Sequence, residues 1–313
     1  MSSSIRTVLI GTSATGASDL VVSNGLRAAR ACGAKVHLVH AFQAPLAYAA
    51  DEPYGAPLYV PEAIEARREA RLRLLAAQAA RMGIRGDEEA GRTVMEGPPY
   101  LVVADTAAEI GADLVVVGAA EGWERLKKHL GSTADRVVRE ASCPVLVTRG
   151  ALAVPPRHVL FGVDLSPISG EALRQGLEIV AAMGGASGAG ATATATALLV
   201  VEVESVVLDT AYEPAVLARV HPAAREELAR FIVDHCPHQP WCVKPVLRIG
   251  ASAAAEVLAL AEEQESDLVV VGTHGRRGLP RLLLGSVADR VLRNAAHSVL
   301  VVPGERTDKA ALA

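Results

Sequence analysis

The sequence predicts an α/β protein made of two tandem domains, each a parallel sheet flanked by helices. Three observations carry this. The chain has 313 residues, about two ordinary domains by length. It repeats itself with a domain-sized period. Aligning Asp113 with Asp267, an offset of 154, lays 115–118 on 269–272, 130–132 on 284–286 and 145–147 on 299–301. Within each repeat, short apolar runs alternate with helical patterns, which fits strands buried on both faces of a parallel sheet.

The elements follow in order, most clearly in the second repeat. Residues 158–163 form a short apolar strand that matches "VLIGTS" near the chain start. "SPISGEALRQGLEIVAAMGG" is a helix, with Ser166 as N-cap, Pro167 at the first helical position and a double glycine as its stop. Leu173, Leu177 and Val180 share one face of it. Strands at 196–203 and 242–249 flank a helix at 222–235. A helix at 252–264, the strand "DLVVVG", the helix "SVADRVLRNA" and the strand "SVLVVP" complete the repeat. The first repeat has the same order, with its long second helix at 61–83. The join lies in "GALAVPPRH" at 150–158, which sets domains at 1–150 and 156–304 and a tail at 305–313.

Composition narrows the function. Half the residues are hydrophobic and about a fifth are charged, as in a soluble globular protein. A net charge of −4 argues against non-specific nucleic-acid binding. No apolar run approaches the roughly 18 residues of a membrane span. The start, "MSSSIRTVLIG", lacks a basic segment followed by an apolar signal core. The four cysteines form no CxxC pair, so a reducing cytoplasm is the expected location.

Such a sheet binds ligands beyond the carboxyl ends of its strands. The loop that emerges there after "DLVVV" reads "GTHGRRGLPRLLLGS" at 272–286. It is neither a Walker A motif nor GxGxxG. Gly272 and Gly275 let the backbone turn tightly and bring N–H groups near an anion. Gly285 and Ser286 open a helix whose N-terminus adds donors and a favourable dipole. Arg276, Arg277 and Arg281 lie between them with no acid. The pattern reads as a phosphate cradle. Equally, Ser286 with Asp289, like Ser132 with Asp135, resembles a capping box that needs no ligand. The glycines and arginines separate the two readings.

The glycine spacing, "DLVVVGTHGRRG", "GSVADRVLR" and the closing "SVLVV" strand resemble the universal stress protein family, here in tandem. The resemblance implies a five-stranded, Rossmann-like sheet per domain, of the adenine nucleotide alpha hydrolase type, with the domains paired through their last strands. It also implies bound ATP, with Mg2+, in one branch of the family. Carried over, Val163 and Asp164 end the first strand at the nucleoside, and Val203 lines the adenine pocket. Val271, Gly272, Gly275, Arg276, Gly285, Ser286 and Val287 hold the phosphates. The low-complexity stretch "GGASGAGATATATALL" blurs the register that places Val203.

The first repeat departs from this pattern. Ser13 stands where Asp164 stands, and Glu121 where Gly275 stands. A carboxylate ~5 Å from a phosphate costs about 3 kcal/mol at an effective dielectric near 20, roughly 100-fold in affinity. Residues 118–132 carry a net +1, against +3 for 272–286. One nucleotide per chain is therefore expected, in the second domain.

Two further clusters complete the reading. His235, Cys236, His238 and Cys242 are zinc-type ligands within eight residues, though Pro237 and Pro240 constrain them and no standard finger spacing fits. The stretch 44–61 is a lid, a partner surface or an ordered loop. No catalytic triad, metal carboxylate pair or GxSxG is present. The sequence is therefore read as an ATP-binding stress regulator with an unidentified protein partner and a homodimer as its assembly. Alternatives are a weak or self-phosphorylating ATPase, a nucleotide-independent scaffold and a zinc-binding regulator.

Overall fold

The computed structural model describes residues 5–43, 47–48, 57–58, 61–119, 130–184, 193–203, 214–236, 243–273 and 284–304. The first half runs β1 (Thr7–Gly11), α1 (Asp19–Cys32), β2 (Lys35–Phe42), a two-residue hairpin of β3 (Ala47–Tyr48) and β4 (Pro57–Leu58), α2 (Pro61–Arg81), β5 (Glu89–Glu96), α3 (Pro99–Glu109), β6 (Leu114–Gly118), α4 (Ser132–Glu140) and β7 (Val145–Thr148). The second half runs β8 (His158–Val163), α5 (Pro167–Ala182), β9 (Thr194–Glu202), α6 (Pro214–His235), β10 (Val243–Gly250), α7 (Ala253–Glu263), β11 (Leu268–Gly272), α8 (Ser286–Asn294) and β12 (Ser298–Val302).

Ten strands form one sheet in the order β10-β9-β8-β11-β12-β7-β6-β1-β2-β5. Each half contributes five parallel strands, and the halves meet where β7 and β12 pair antiparallel, Val147 opposite Val299 and Val145 opposite Val301. Their order within each half reverses beside the first strand, which opens the crevice that α/β sheets use for ligands. Burial explains why these strands lack an alternating pattern. β6, β7, β11 and β12 are buried along nearly their whole length because helices cover both faces. One apolar core runs along each face through both halves. Leu146 and Leu300 belong to one, Val147 and Val299 to the other.

The repeated aspartate of "DLVVV" has a structural task. Asp113 Oδ2 accepts the N–H groups of Arg6 (2.8 Å) and Thr7 (2.9 Å), and Asp267 Oδ2 accepts those of Arg157 (2.7 Å) and His158 (3.1 Å). Each carboxylate thereby fixes where its half's first strand enters the sheet.

The seam is polar outside the paired strands. Arg139 on α4 reaches Asp289 on α8 at 2.7 Å, and Arg293 on α8 reaches Asp135 on α4 at 3.0 Å. The same arginines also hold the acid one turn earlier on their own helix. This reciprocal quartet requires α4 and α8 to run antiparallel. Buried Asn24 pins the connection between halves, donating to Gly150 O (2.8 Å) and accepting from Leu152 N (2.9 Å). Buried Arg149 donates from Nη2 to Leu292 O near the end of α8 (2.8 Å), where a cation complements the helix dipole.

The second-half helix predicted from Pro222 begins at Pro214 instead and passes through Pro222. Proline at the first helical turn is common, which is why the sequence suggested a start there. At this exposed position water can take the carbonyl that proline leaves free.

Candidate functional site

The ends of β8, β9 and β11, with the start of α8, enclose a cleft of about 820 Å³ at the carboxyl rim of the second half. Of the residues singled out from sequence, Val163, Asp164, Val271, Gly272, Gly285, Ser286 and Val287 all line it. Gly275 and Arg276, with His274, Arg277 and Arg281, lie outside the described residues, as does Glu121 in the first half.

Asp164 is set by a tight turn. Its Oδ1 accepts the N–H of Ser166 (3.1 Å), while its own N–H donates to Ser169 Oγ (3.3 Å). Leu165 between them has φ 63°, a left-handed conformation that costs a leucine about 1–2 kcal/mol. Ala14, at the matching place after β1, has φ 58°. The chain thus makes the same strained turn in both halves, but only the second places a carboxylate on it. Ser166 then caps α5, its Oγ accepting from Ser169 N at 3.2 Å.

The α8 end of the cleft is built from backbone. Gly285 N–H donates to Thr273 O (2.7 Å), closing the base of the glycine loop, and Gly285 itself is the N-cap of α8 with no side-chain cap. The expected capping box does not form. Ser286 is the first helical residue rather than the cap, and Asp289 is taken up by Arg139 and Arg293 at the seam. The same holds for Gly131, Ser132 and Asp135 on α4. A helix whose first N–H groups have no intrahelical partner and no side-chain cap offers them to an anion.

Sequence reasoning missed one wall. Residues 198–202 of β9, Ala224 and Glu227 of α6, and Ala253 and Val257 of α7 line the cleft. Val203 does not. It follows β9, and its N–H is used by Gly250 O at 3.0 Å. The strand register would have found this wall: Gly162 pairs with Leu198 as Gly11 pairs with Val39. Glu202, at the end of β9, accepts the Ala253 N–H of α7 through Oε1 at 2.7 Å.

The first half fills its counterpart differently. His40 takes the place of Leu199 and donates from Nδ1 to Thr12 O at 2.9 Å. Ser13 Oγ turns to Thr15 Oγ1 (2.9 Å) and Ser18 Oγ (3.0 Å). Fully buried Gln78 ties Thr12, Thr15, Ser18 and Asp19 together, and Arg81 holds Asp19 at 2.7 Å.

Of the four zinc-type candidates, His235 and Cys236 are among the described residues. His235 donates from Nδ1 to Phe231 O (2.9 Å), lies tilted at 38° against the Phe231 ring and packs against Gly170. Burial pushes the Cys236 thiol up to about 11, away from the thiolate a metal needs. His238 and Cys242 lie outside the described residues, and among the described residues no group of three potential ligands occurs. Most of the 44–61 stretch also lies outside them, and no described helix is long and apolar enough to cross a membrane.

The universal stress protein family model matches residues 4–149 and again 156–303. The chain belongs to the universal stress protein family. A universal stress protein of Mycolicibacterium smegmatis is 30% identical over 312 residues, covering 94% of this chain and 96% of its own length. A universal stress protein of Mycobacterium tuberculosis H37Rv is 31% identical over 202 residues, a match that spans only 61% of each chain. Among solved structures, one from Archaeoglobus fulgidus aligns with TM-score 0.60 at 18% identity, covering 95% of this chain and 98% of that one. Another, from Pseudomonas aeruginosa UCBPP-PA14, aligns with TM-score 0.64 at 16% identity over 96% and 94%. At these identities the structures bear on fold alone, and they share the tandem arrangement of this universal stress protein.

Proposed function

We propose that this protein binds one ATP per chain, in the cleft of its second half, and acts as a nucleotide-dependent regulator through an unidentified protein partner. The observation that carries the reading is the convergence of an uncapped helix N-terminus, Gly272 and Asp164 on one cleft. Asp164 and Glu202 present carboxylates to that cleft, while the start of α8 presents uncapped N–H donors. This polarity orients a nucleotide with its phosphates at α8 and its nucleoside toward β9. Asp164 suits ribose hydroxyls, and the apolar residues 198–201 suit a base. An accompanying Mg2+ would be held by the phosphates with one or two carboxylates of the cleft.

In the first half the turn lacks a carboxylate, and His40 occupies the place of an apolar wall residue. That half is proposed as a structural and regulatory partner domain, with a homodimer of the whole chain as its further assembly. The test is nucleotide stoichiometry by mass spectrometry of gently purified protein, followed by ATP titration of the wild type and of Gly275→Glu. One site per chain, lost in the variant, is expected. No binding, two sites, or undiminished binding by Gly275→Glu would refute it.

A further inference from the structure

We infer that Glu202 reads the base, selecting one that offers a single exocyclic amine, adenine, over one that offers paired donors, guanine. This rests on the nucleotide reading above. Glu202 is the last residue of β9 and lines the cleft beside residues 198–201. Its Oε1 is fixed by the N–H of Ala253, the first residue of α7, at 2.7 Å. That N–H belongs to the helix start and has no intrahelical acceptor, so the bond is a cap as well as an anchor. The second oxygen has no partner among the described residues.

An acceptor held this way loses little rotamer freedom when a ligand arrives, unlike a free glutamate. The committed oxygen also limits what the carboxylate can read. Guanine offers N1–H and N2–H side by side, and a carboxylate takes that fork with both oxygens. With Oε1 turned toward Ala253, Glu202 does not present both oxygens squarely to that fork, and its Oε2 matches one N–H of the adenine amine. Guanine places its O6 where adenine has that amine, so two acceptors would face each other.

The first half lacks the device. By register Gln43 stands at the place of Glu202, and α3 opens with Pro99, which has no N–H to anchor it. The anchored carboxylate therefore occurs only in the half proposed to bind nucleotide.

The experiment is calorimetric titration with ATP and with GTP for the wild type, Glu202→Gln and Glu227→Gln. In Glu202→Gln the amide oxygen keeps the Ala253 bond and the NH2 group faces the cleft, so a role as helix cap alone leaves base preference unmoved. The wild type is expected to favour ATP by about tenfold or more. Glu202→Gln should bring the two within roughly threefold or reverse them, and Glu227→Gln should keep the preference. Purine riboside triphosphate, which lacks the 6-amine, tests the wild type without any substitution and should bind about tenfold more weakly than ATP. Equal binding of ATP and GTP, an unchanged ratio in Glu202→Gln, or collapse of the ratio in Glu227→Gln overturns the role of Glu202 while leaving the nucleotide site standing. Binding of neither nucleotide overturns both.

Discussion

Replacing Ser286 by glutamate should make the protein more stable and its nucleotide binding worse. Ser286 is the exposed first residue of α8, and its side chain makes no capping bond. A carboxylate there meets the positive end of the helix dipole, worth about 0.3–1 kcal/mol. For a chain of this size that raises the melting temperature by roughly 1–3 °C. The same carboxylate would stand ~5 Å from a phosphate held at the helix start. At an effective dielectric near 20 the repulsion is about 3 kcal/mol, or roughly 100-fold in affinity. Two assays are needed: thermal melting without ligand, and ATP titration by calorimetry. A higher melting temperature with ATP affinity changed less than threefold would show that phosphates do not sit at α8. A lower melting temperature would show that the helix start is not the open, uncapped end described.

Other consequences are as direct. Asn24→Ala leaves Gly150 O and Leu152 N without their partner at a buried site, so chemical denaturation should show a loss of about 2–4 kcal/mol. The seam quartet is partly exposed, so a double-mutant cycle on Arg139→Gln and Asp289→Asn should give a coupling of only about 0.5–1 kcal/mol, shrinking in high salt. Burial lowers the pKa of His37, and burial likewise lowers that of His297, against weaker opposing pulls from nearby acids. Both stay neutral to lower pH in the folded chain than in the unfolded chain, which takes up protons below about pH 6.5. Stability should therefore fall as pH drops through that value, by up to about 1.4 kcal/mol per pH unit for each histidine, until the folded-state pKa is reached. His37→Asn should flatten the melting-temperature profile between pH 7 and 5.

Most of the fold was legible because the strands have no polar face to confuse. β8 begins and ends where the apolar run predicts, and Ser166, Pro167 and the glycine stop mark α5 from both ends. The α8 end of the cleft was legible for a similar reason: glycine and a helix start announce backbone chemistry, which depends little on distant residues. The β9 end was not. It is set by the register of β9 against β8, and a run of alanine, threonine and glycine before β9 carries no signal that fixes register. Glu202 was missed because its meaning comes from Ala253, fifty-one residues later. The capping-box alternative for Asp135 and Asp289 failed for the opposite reason. Their local spacing fits a cap, while the arginines that claim them come partly from across the seam.

The antiparallel pairing of β7 with β12 makes the molecule face two ways. Every strand of the first half points toward one rim of the sheet and every strand of the second toward the other. The cleft and its filled counterpart therefore open on opposite edges, offset by the strand length, on the order of 15 Å, and by four strand spacings across the sheet, about 19 Å. A molecule docked over the cleft of the second half would leave the turn after β1 uncovered on the far side. Whatever covers one rim need not compete with what covers the other.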